Sequence, residues 1–503
     1  MTISPASKMR AIVINPADNT AVAVGSIKAG ESFITAGGQK IMTKADIAPG
    51  HKIALRDIPA GGDVIKYGYP IGRATVSVTA GEAVHNHNLK TVLSEGEIEY
   101  AYQPRLTPPS PRAAGGFKGF RRENGKAGIR NEIWIIPTVG CLNSIGDIIG
   151  RRAQNLVRGS IDGIYSFPHP YGCSQLGTDH ENTKKALCGL INHPNAGAVL
   201  ALGLGCENNT TAGMQEMLGH KNIERVKFLV CQDIEDETQA ALELLEELAS
   251  YAEGFEREDI PTSELIIGLK CGGSDGFSGI TANPLIGVFS DRLIAEGGTT
   301  ILTEVPEMFG AETILMNRCE SEEVFGKTVR LINGFKAYFT DYGQSVYENP
   351  SPGNKDGGIT TLEEKSLGCT QKAGRATVAD VLKYGEQAVK KGLNLLESPG
   401  NDLVASTALA VSGAHIILFT TGRGTPFGSP VPTVKISSNT PLANKKRNWI
   451  DFDAGSIIAG ADILSLGDDL YKLVRDISSG EARTKTEQFG IRDLAIFKNG
   501  VTL

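Results

Sequence analysis

Two histidines separated by a single residue, His85 and His87, are the sharpest candidate metal ligands in the sequence. Side chains alternate along an extended chain, so residues two apart point to the same side. Two imidazoles placed in this way can bind one divalent ion. A polar loop at the end of a strand explains the same pattern. Histidine is scarce here, with 8 in 503 residues, which favours a ligand role for this pair.

Several cysteines follow a glycine or an apolar run, in Gly-Cys steps that end at Cys141, Cys173, Cys206 and Cys369. Cys206 and Cys271 come directly after apolar runs, and the carboxyl ends of parallel strands form the ligand crevices of α/β proteins. Thiols there can bind iron, act as nucleophiles or fill space. Cys173, Cys206 and Cys271 lie in polar, glycine-rich segments and are candidate ligands of a labile iron–sulfur cluster.

Polar loops after the apolar runs are suited to a small anion. The segments 203–209 and 271–279 expose backbone N–H groups, and they contain the candidate substrate-binding residues Asn208 and Ser274. Arg423 follows another apolar run and could clamp a carboxylate, because guanidinium binds carboxylate with two hydrogen bonds. A solvated arginine on a surface turn is the alternative. Neither loop has the glycine spacing of a dinucleotide or nucleotide-triphosphate motif.

The elements that must position these residues change along the chain. Residues 1–102 run in short alternating segments interrupted by glycine and proline, which predicts a small all-β module. Residues 103–116 have the composition of a stiff linker. Beyond it, apolar runs alternate with helical patterns, which predicts two α/β domains with mostly parallel sheets, over 117–256 and 257–503. The clearest predicted helix spans 235–251.

The bulk composition excludes several functional classes. Hydrophobic residues make up 41% and charged residues 21% of the chain, an ordinary balance for a folded protein. The formal net charge of −7 gives no support for nucleic acid or an anionic membrane as a partner. The first residues lack the apolar core of a secretory signal, so we expect reduced cysteines and a cytoplasmic location.

The same polar segments resemble the altronate and galactarate dehydratase family, and the resemblance covers nearly the whole chain. The segments that carry it are 84–88, 130–134, 137–141, 171–176, 203–208 and 272–276. Three longer segments, 278–284, 303–310 and 357–372, are more similar to the altronate branch than to the galactarate branch. By this resemblance the N-terminal module is a β-clip domain of the SAF type.

The resemblance also implies a reaction. The family's altronate branch converts D-altronate to 2-dehydro-3-deoxy-D-gluconate in hexuronate (galacturonate) catabolism, and it requires Fe²⁺, with Mn²⁺ as an occasional substitute. Such a hydro-lyase removes the C2 proton and expels the C3 hydroxyl, and a metal stabilises the enolate-like charge.

The candidate residues can be assigned roles in this reaction. Our hypothesis places His85 and His87 on the metal and Arg423 on the substrate carboxylate. His169, His180 or Asp275 would be the general base, and the sequence does not rank these three.

Three alternatives stay open at this level. The substrate could be galactarate or another sugar acid. The metal could be an iron–sulfur cluster on the cysteines instead of a single ion on the histidines. The β module could bind a carbohydrate without turnover. Closed two-fold homo-oligomers are the commonest assemblies of soluble enzymes, so we expect a dimer.

Overall fold

The computed structural model describes residues 10–35, 37–94, 96, 98–219 and 224–502. A strand-rich N-terminal module is followed by two parts in which helices surround parallel sheets, so the predicted fold class is confirmed. Within the described residues, no helix has the length and apolar character needed to cross a membrane.

The N-terminal module consists of short antiparallel strands that pair in three small sheets, β1-β2-β5-β8, β3-β4 and β6-β7-β9. Its strands are β1 (Ala11–Ile12), β2 (Thr20–Ala23), β3 (Ser32–Ile34), β4 (Lys40–Met42), β5 (Lys52–Ala54), β6 (Asp63–Lys66), β7 (Tyr69–Ala74), β8 (Ala83–Val84) and β9 (Leu89–Lys90). Apolar residues alternate along them and fill two small cores, one of which includes Leu367 of the C-terminal part. The module is therefore packed directly against the rest of the chain.

The middle part contains a four-stranded parallel sheet of order β13-β12-β14-β15. The strands of this sheet are β12 (Glu132–Pro137), β13 (Gly163–Ser166), β14 (Ala196–Gly203) and β15 (Val226–Val230). Two further strands, β10 (Gly116–Arg121) and β11 (Ala127–Gly128), pair antiparallel outside it. The helices of this part are α1 (Asn143–Arg152), α2 (Gly177–Ile191), α3 (Thr211–Leu218) and α4 (Glu237–Glu253). Helix α4 is the one predicted over 235–251, and its residues at helical spacing, such as Ala241, Leu245 and Leu248, are buried.

The C-terminal part contains a seven-stranded sheet of order β19-β20-β18-β17-β21-β22-β23, in which all neighbours are parallel. The strands of this sheet are β17 (Ile266–Cys271), β18 (Thr299–Leu302), β19 (Val378–Leu382), β20 (Gly392–Leu396), β21 (Ile416–Thr421), β22 (Thr433–Ser437) and β23 (Phe452–Asp453). A further strand, β16 (Arg257–Pro261), lies outside this sheet and pairs antiparallel with β10. The helices of this part are α5 (Ala282–Ala295), α6 (Glu312–Met316), α7 (Glu322–Asp341), α8 (Pro352–Asp356), α9 (Leu362–Cys369), α10 (Asp402–Val411), α11 (Thr440–Lys445), α12 (Ile463–Ser478) and α13 (Lys485–Gln488).

The two parallel sheets are in contact at their amino ends. His193 and Asn195 directly precede β14, and they hydrogen-bond the carbonyl oxygens of Ala414 and His415, which directly precede β21. Helices α2 and α10, which run back from the carboxyl edges, pack against each other. In each sheet the carboxyl ends of the strands lie at the edge opposite these contacts. In α/β proteins that is the side that binds ligands.

Candidate active site

Helix α9 is buried along its whole length although half of its side chains are polar or charged. Thr361 caps its first turn by accepting a hydrogen bond from the backbone N–H of Glu364. A buried charge is tolerated only when it is paired and hydrogen-bonded. The charged groups of this helix therefore need partners on the elements around it, and those partners define the candidate site.

Towards the N-terminal module, Glu364 pairs with two buried lysines. Its carboxylate lies 2.7 Å from Lys52 Nζ and 2.8 Å from Lys66 Nζ. Burial alone would raise the pKa of Glu364, but the two ammonium groups outweigh it and lower that pKa to about 2. Burial also lowers the pKa of Lys52 to about 8, because one carboxylate does not fully compensate two cations. The contacts of Glu364 with these two lysines therefore connect the module to the C-terminal part.

Towards the core, helix α9 contributes Lys365 and Cys369 to a compact cluster. Lys365 Nζ lies 2.7 Å from Glu307 Oε1. The other oxygen of Glu307 accepts a hydrogen bond of 2.7 Å from Cys271 Sγ, which lies 3.4 Å from Cys369 Sγ. One ligand atom from each of Cys271, Glu307 and Cys369 lies within 4.8 Å of the others, the sole such group of three among the residues that the structure describes.

The electrostatics of this cluster favour an ionised thiol. The hydrogen bond with Cys369 lowers the pKa of Cys271 to about 6, although burial opposes the shift. A thiolate beside the Glu307 carboxylate would place two anionic ligand atoms in a site shielded from water, with the buried cations Lys365, Lys372 and Lys270 around them. Thiolate is a soft ligand that suits iron and zinc, and carboxylate binds divalent cations generally. The donor set therefore fits a divalent transition-metal ion.

A second group of buried charges adjoins the cluster at the end of β17. Lys270 Nζ contacts Glu304 and lies 2.9 Å from Asp402 Oδ1. Lys372 Nζ lies 3.9 Å from the other oxygen of Glu304. Asp402 is partly exposed, so this network runs from the buried cluster to the carboxyl edge of the sheet.

Three non-glycine residues in the described part of the chain have a positive φ, and each lies at a candidate site. Glu304 (φ 69°) contacts Lys270, and Tyr67 (φ 63°) lines a cavity of about 10 Å³ beside Cys369. Ser174 (φ 57°) follows Cys173. A side chain in this region costs about 1–3 kcal/mol, and such strain concentrates at functional sites.

The predicted metal histidines lie at the edge of the module. His85 begins a turn and is not in an extended segment, because Asn88 Oδ1 accepts its backbone N–H. The expectation of two aligned side chains on an extended chain is therefore wrong. His85 Nδ1 lies 2.8 Å from Thr360 Oγ1, its ring contacts that of His51, and His87 is exposed. Burial first, and then the charge of Lys52, lower the pKa of His85 to about 4, so its ring is neutral. Metal binding by His85 and His87 stays a prediction.

The three predicted bases differ in how far their atoms are already engaged. His169 donates from Nε2 to the carbonyl of Pro137, and its Nδ1 accepts the backbone N–H of Tyr171. The oxygens of Asp275 accept hydrogen bonds from the backbone and side chains of two segments, residues 277–278 and 438–439. His180 Nε2 is buried without a hydrogen-bond partner among the described residues. His180 is therefore the one with a free ring nitrogen.

The predicted substrate-binding residues divide between the two parallel sheets. Ser274 has a buried hydroxyl without a described partner, and the exposed Arg423 packs beside Gly273 in the same loop region. Asn208 is on the middle sheet, where its side chain accepts the backbone N–H of Ser174. Cys271 is likewise near Ser274, whereas Cys173 and Cys206 are near Asn208. The three predicted cluster cysteines therefore belong to two different sites.

Most of the buried cluster was not predicted from the sequence: Cys369 was noted only as the end of a Gly-Cys step, and Lys270, Glu304, Glu307, Lys365 and Asp402 were not identified. A signal was available at Lys270, which interrupts the apolar run of β17 with a charge. A lysine inside a strand that is buried throughout predicts a buried carboxylate partner. Which carboxylate that is depends on the strand order, which the sequence does not show.

Matches to known families follow the three parts of the chain. Residues 9–92 match the altronate/galactarate dehydratase SAF domain, and residues 119–253 match the second domain of D-galactarate dehydratase/altronate hydrolase. Residues 262–502 match the C-terminal domain of D-galactarate/altronate dehydratase. The chain belongs to the D-galactarate and altronate dehydratase family.

Individual relatives place the chain within this family. It is 56% identical to an altronate dehydratase of Bacillus subtilis, over 98% of this chain and 99% of the relative. It is 52% identical to an altronate dehydratase of Escherichia coli, over 98% and 100%. A galactarate dehydratase (L-threo-forming) of Escherichia coli is 31% identical over 97% and 96%. The similarity is therefore greater to the altronate dehydratases.

Proposed function

We propose that this protein is a hydro-lyase that converts D-altronate to 2-dehydro-3-deoxy-D-gluconate. The observation that carries the substrate is the identity of 56% and 52% to two altronate dehydratases over nearly the full chain, against 31% to a galactarate dehydratase. A role in hexuronate catabolism, a cytoplasmic location and a homodimer belong to the same proposal. They rest on the family resemblance and on the frequency of two-fold homo-oligomers.

We propose Fe²⁺ as the cofactor, with Mn²⁺ as a substitute, and we assign it to Cys271, Glu307 and Cys369. The close approach of the three ligand atoms and the lowered pKa of the Cys271 thiol support this site. When bound, such an ion acts as a Lewis acid that stabilises enolate-like charge and assists the departure of hydroxide. His85 and His87 are the alternative ligand pair.

The chain's own residues supply binding and proton transfer. Arg423 is exposed beside the 271–279 loop, and we propose that it holds the substrate carboxylate. Lys365 fixes Glu307 through their ion pair. His180 is our choice of general base among the three predicted residues, because its Nε2 has no described partner. A neutral imidazole can accept the C2 proton, which the adjacent carboxylate makes weakly acidic.

The test is an anaerobic assay for 2-keto-3-deoxy acid formation with added Fe²⁺, run on D-altronate and galactarate in parallel and repeated with a chelator. We expect turnover of altronate that the chelator abolishes. Turnover of galactarate alone would contradict the proposed substrate. Activity that survives complete removal of metal would contradict the cofactor.

A matched pair of variants tests the metal site. Cys369→Ser should lose bound iron and activity, because it removes a proposed ligand. Cys319→Ser is the control, since Cys319 is a buried cysteine of the same part of the chain that hydrogen-bonds Thr328. Equal iron content in the two variants would exclude Cys369 from the site and would favour the histidines.

A further inference from the structure

Three of the 8 cysteines are exposed, and all three lie at one edge of the middle sheet. Cys141 follows β12, Cys173 follows β13 and Cys206 follows β14. These strands are neighbours in the parallel sheet, so their carboxyl ends deliver three thiols to one surface. Exposed cysteines are uncommon in proteins, because this side chain usually packs in the interior.

Hydrogen bonds tie the three cysteine loops to one another. The backbone N–H of Gly140 donates to Tyr171 O over 2.9 Å, which joins the first loop to the second. The N–H of Asn209 donates to Gly172 O over 3.0 Å, and the N–H of Ser174 donates to Asn208 Oδ1 over 2.8 Å. Each contact involves a residue within three positions of a cysteine. The loops therefore form one surface.

The glycine before each cysteine permits this close approach. A Cβ on Gly172, which has a φ of 101°, would clash with the carbonyl of Thr138. A Cβ on Gly140 would lie 2.8 Å from His169 O, and one on Gly205 would lie 2.7 Å from the Gln232 side chain. Real Cβ contacts are longer than this. For Cys141 and Cys173 the Gly-Cys step thus has a structural cause, which is the close approach of their two loops, whereas Gly205 makes room for Gln232.

Three helix N-termini favour a ligand that carries negative charge once bound, and the one buried carboxylate described in these loops, Glu207, is already held by Thr138 and by the backbone N–H groups of Leu204 and Gly205. Helices α1, α2 and α3 begin within a few residues of Cys141, Cys173 and Cys206, so their positive ends lie at this edge. Two buried polar atoms in the loops, Gln175 Nε2 and Asn209 Oδ1, have no hydrogen-bond partner among the described residues. Unpartnered buried polar atoms are rare and mark places where a further group binds.

We propose that Cys141, Cys173 and Cys206 hold an iron–sulfur cluster with one iron that has no protein ligand. Within the described residues these thiols do not form a group compact enough for a single ion. A cluster of several irons fits cysteines that stand farther apart. The next strand, β15, is followed directly by Cys231, but this thiol is buried and burial raises its pKa. It is therefore unsuited to be a fourth ligand.

This site is separate from the cluster around Cys271, and it does not rest on the proposed dehydration. An iron without a protein ligand is a Lewis acid that can bind a hydroxyl or carboxylate group. The chemical class of ligand at its open position is thus a small oxygen donor such as a hydroxy acid.

The test is the iron and acid-labile sulfide content of the full chain after anaerobic purification or reconstitution with iron and sulfide. We expect sulfide in near-equal amount to cluster iron, a broad visible absorption and a paramagnetic resonance signal on reduction. The variants Cys141→Ser, Cys173→Ser and Cys206→Ser should each lose at least half of the sulfide. Cys369→Ser should keep it, because mononuclear iron contains no sulfide.

Cys231→Ser is the matched control, since it makes the same change at the same sheet edge in a buried thiol. Alkylation gives a second measurement: Cys141, Cys173 and Cys206 should be protected in the reconstituted protein and reactive after cluster removal. Absence of sulfide, or iron without sulfide in the unmodified chain, would overturn the proposal. Equal sulfide loss in Cys231→Ser would also overturn it.

Discussion

Replacing Glu364 by glutamine should release the N-terminal module from the C-terminal part. The substitution keeps the size of the side chain and removes the one carboxylate that faces Lys52 and Lys66. Both ammonium groups would then be buried without a counter-charge. Removing one partner of a buried ion pair costs about 3–5 kcal/mol.

The pKa of Glu364 gives an independent magnitude. Its shift from the ordinary value of 4.5 to about 2 corresponds to about 3 kcal/mol, at about 1.4 kcal/mol per pKa unit. The group is fully buried, so solvent screening does not reduce this figure. Because the folded-state pKa is lowered, the stabilisation is complete above pH 4.5 and is lost as the pH falls towards 2. The loss of stability caused by Glu364→Gln should therefore be at its full size at pH 7 and become smaller as the pH falls.

Amide hydrogen exchange in β5 is the most direct assay, because a chain of three parts need not unfold in one step. Urea unfolding gives the overall stability of each variant, and turnover of altronate gives its activity. Glu363→Gln is the matched control: Glu363 is buried on the same helix turn, but it accepts hydrogen bonds from Thr91 and Val92 and forms no ion pair with a lysine among the described residues. We expect a loss of about 1–2 kcal/mol there. Equal protection of the β5 amides from exchange in the two variants would show that the pairing of Glu364 with Lys52 and Lys66 does not hold the module in place.

Two further predictions concern the contacts between the parts. A Cβ on Gly276 would clash with the carbonyl of Gly50 in the module, so Gly276→Ala should lower kcat/KM at least tenfold. Gly353→Ala is the control, because a Cβ on Gly353 would meet open space, and it should leave kcat/KM unchanged. Burial lowers the pKa of His415 to about 4, so the protein should lose up to about 3 kcal/mol of stability as the pH falls from 6.5 to 4, and the loss should be smaller in His415→Gln. Urea midpoints at several pH values measure this difference, and parallel curves for the two proteins would contradict it.

The fold class was predictable because it depends on local patterns. Helix α4 was predicted within two residues from its apolar spacing, and its predicted face is buried. The short alternating segments likewise predicted that the N-terminal module is all-β. These features depend on residues close in sequence, so a single sequence is sufficient to predict them.

The candidate site was predictable only in part, because its residues are brought together by strand order. Cys271 was identified, but its partners Glu307 and Cys369 lie far along the chain and belong to other elements. Helix α9 has the composition of a solvated helix, and its burial follows from lysines of the module and from Glu307. Cys141 was visible as a Gly-Cys step, yet only the neighbouring positions of β12, β13 and β14 show that it belongs with Cys173 and Cys206.

The pairing of Lys52 with Glu364 also constrains the order of events during synthesis of the chain. The two residues are 312 positions apart. At about 5–20 residues per second, the ribosome needs about 15–60 s to add that length. Until then the buried face of the module, including both lysines, stays hydrated, and these groups lose their water only when helix α9 arrives. The part of the protein that is made first therefore docks only after helix α9 has been made.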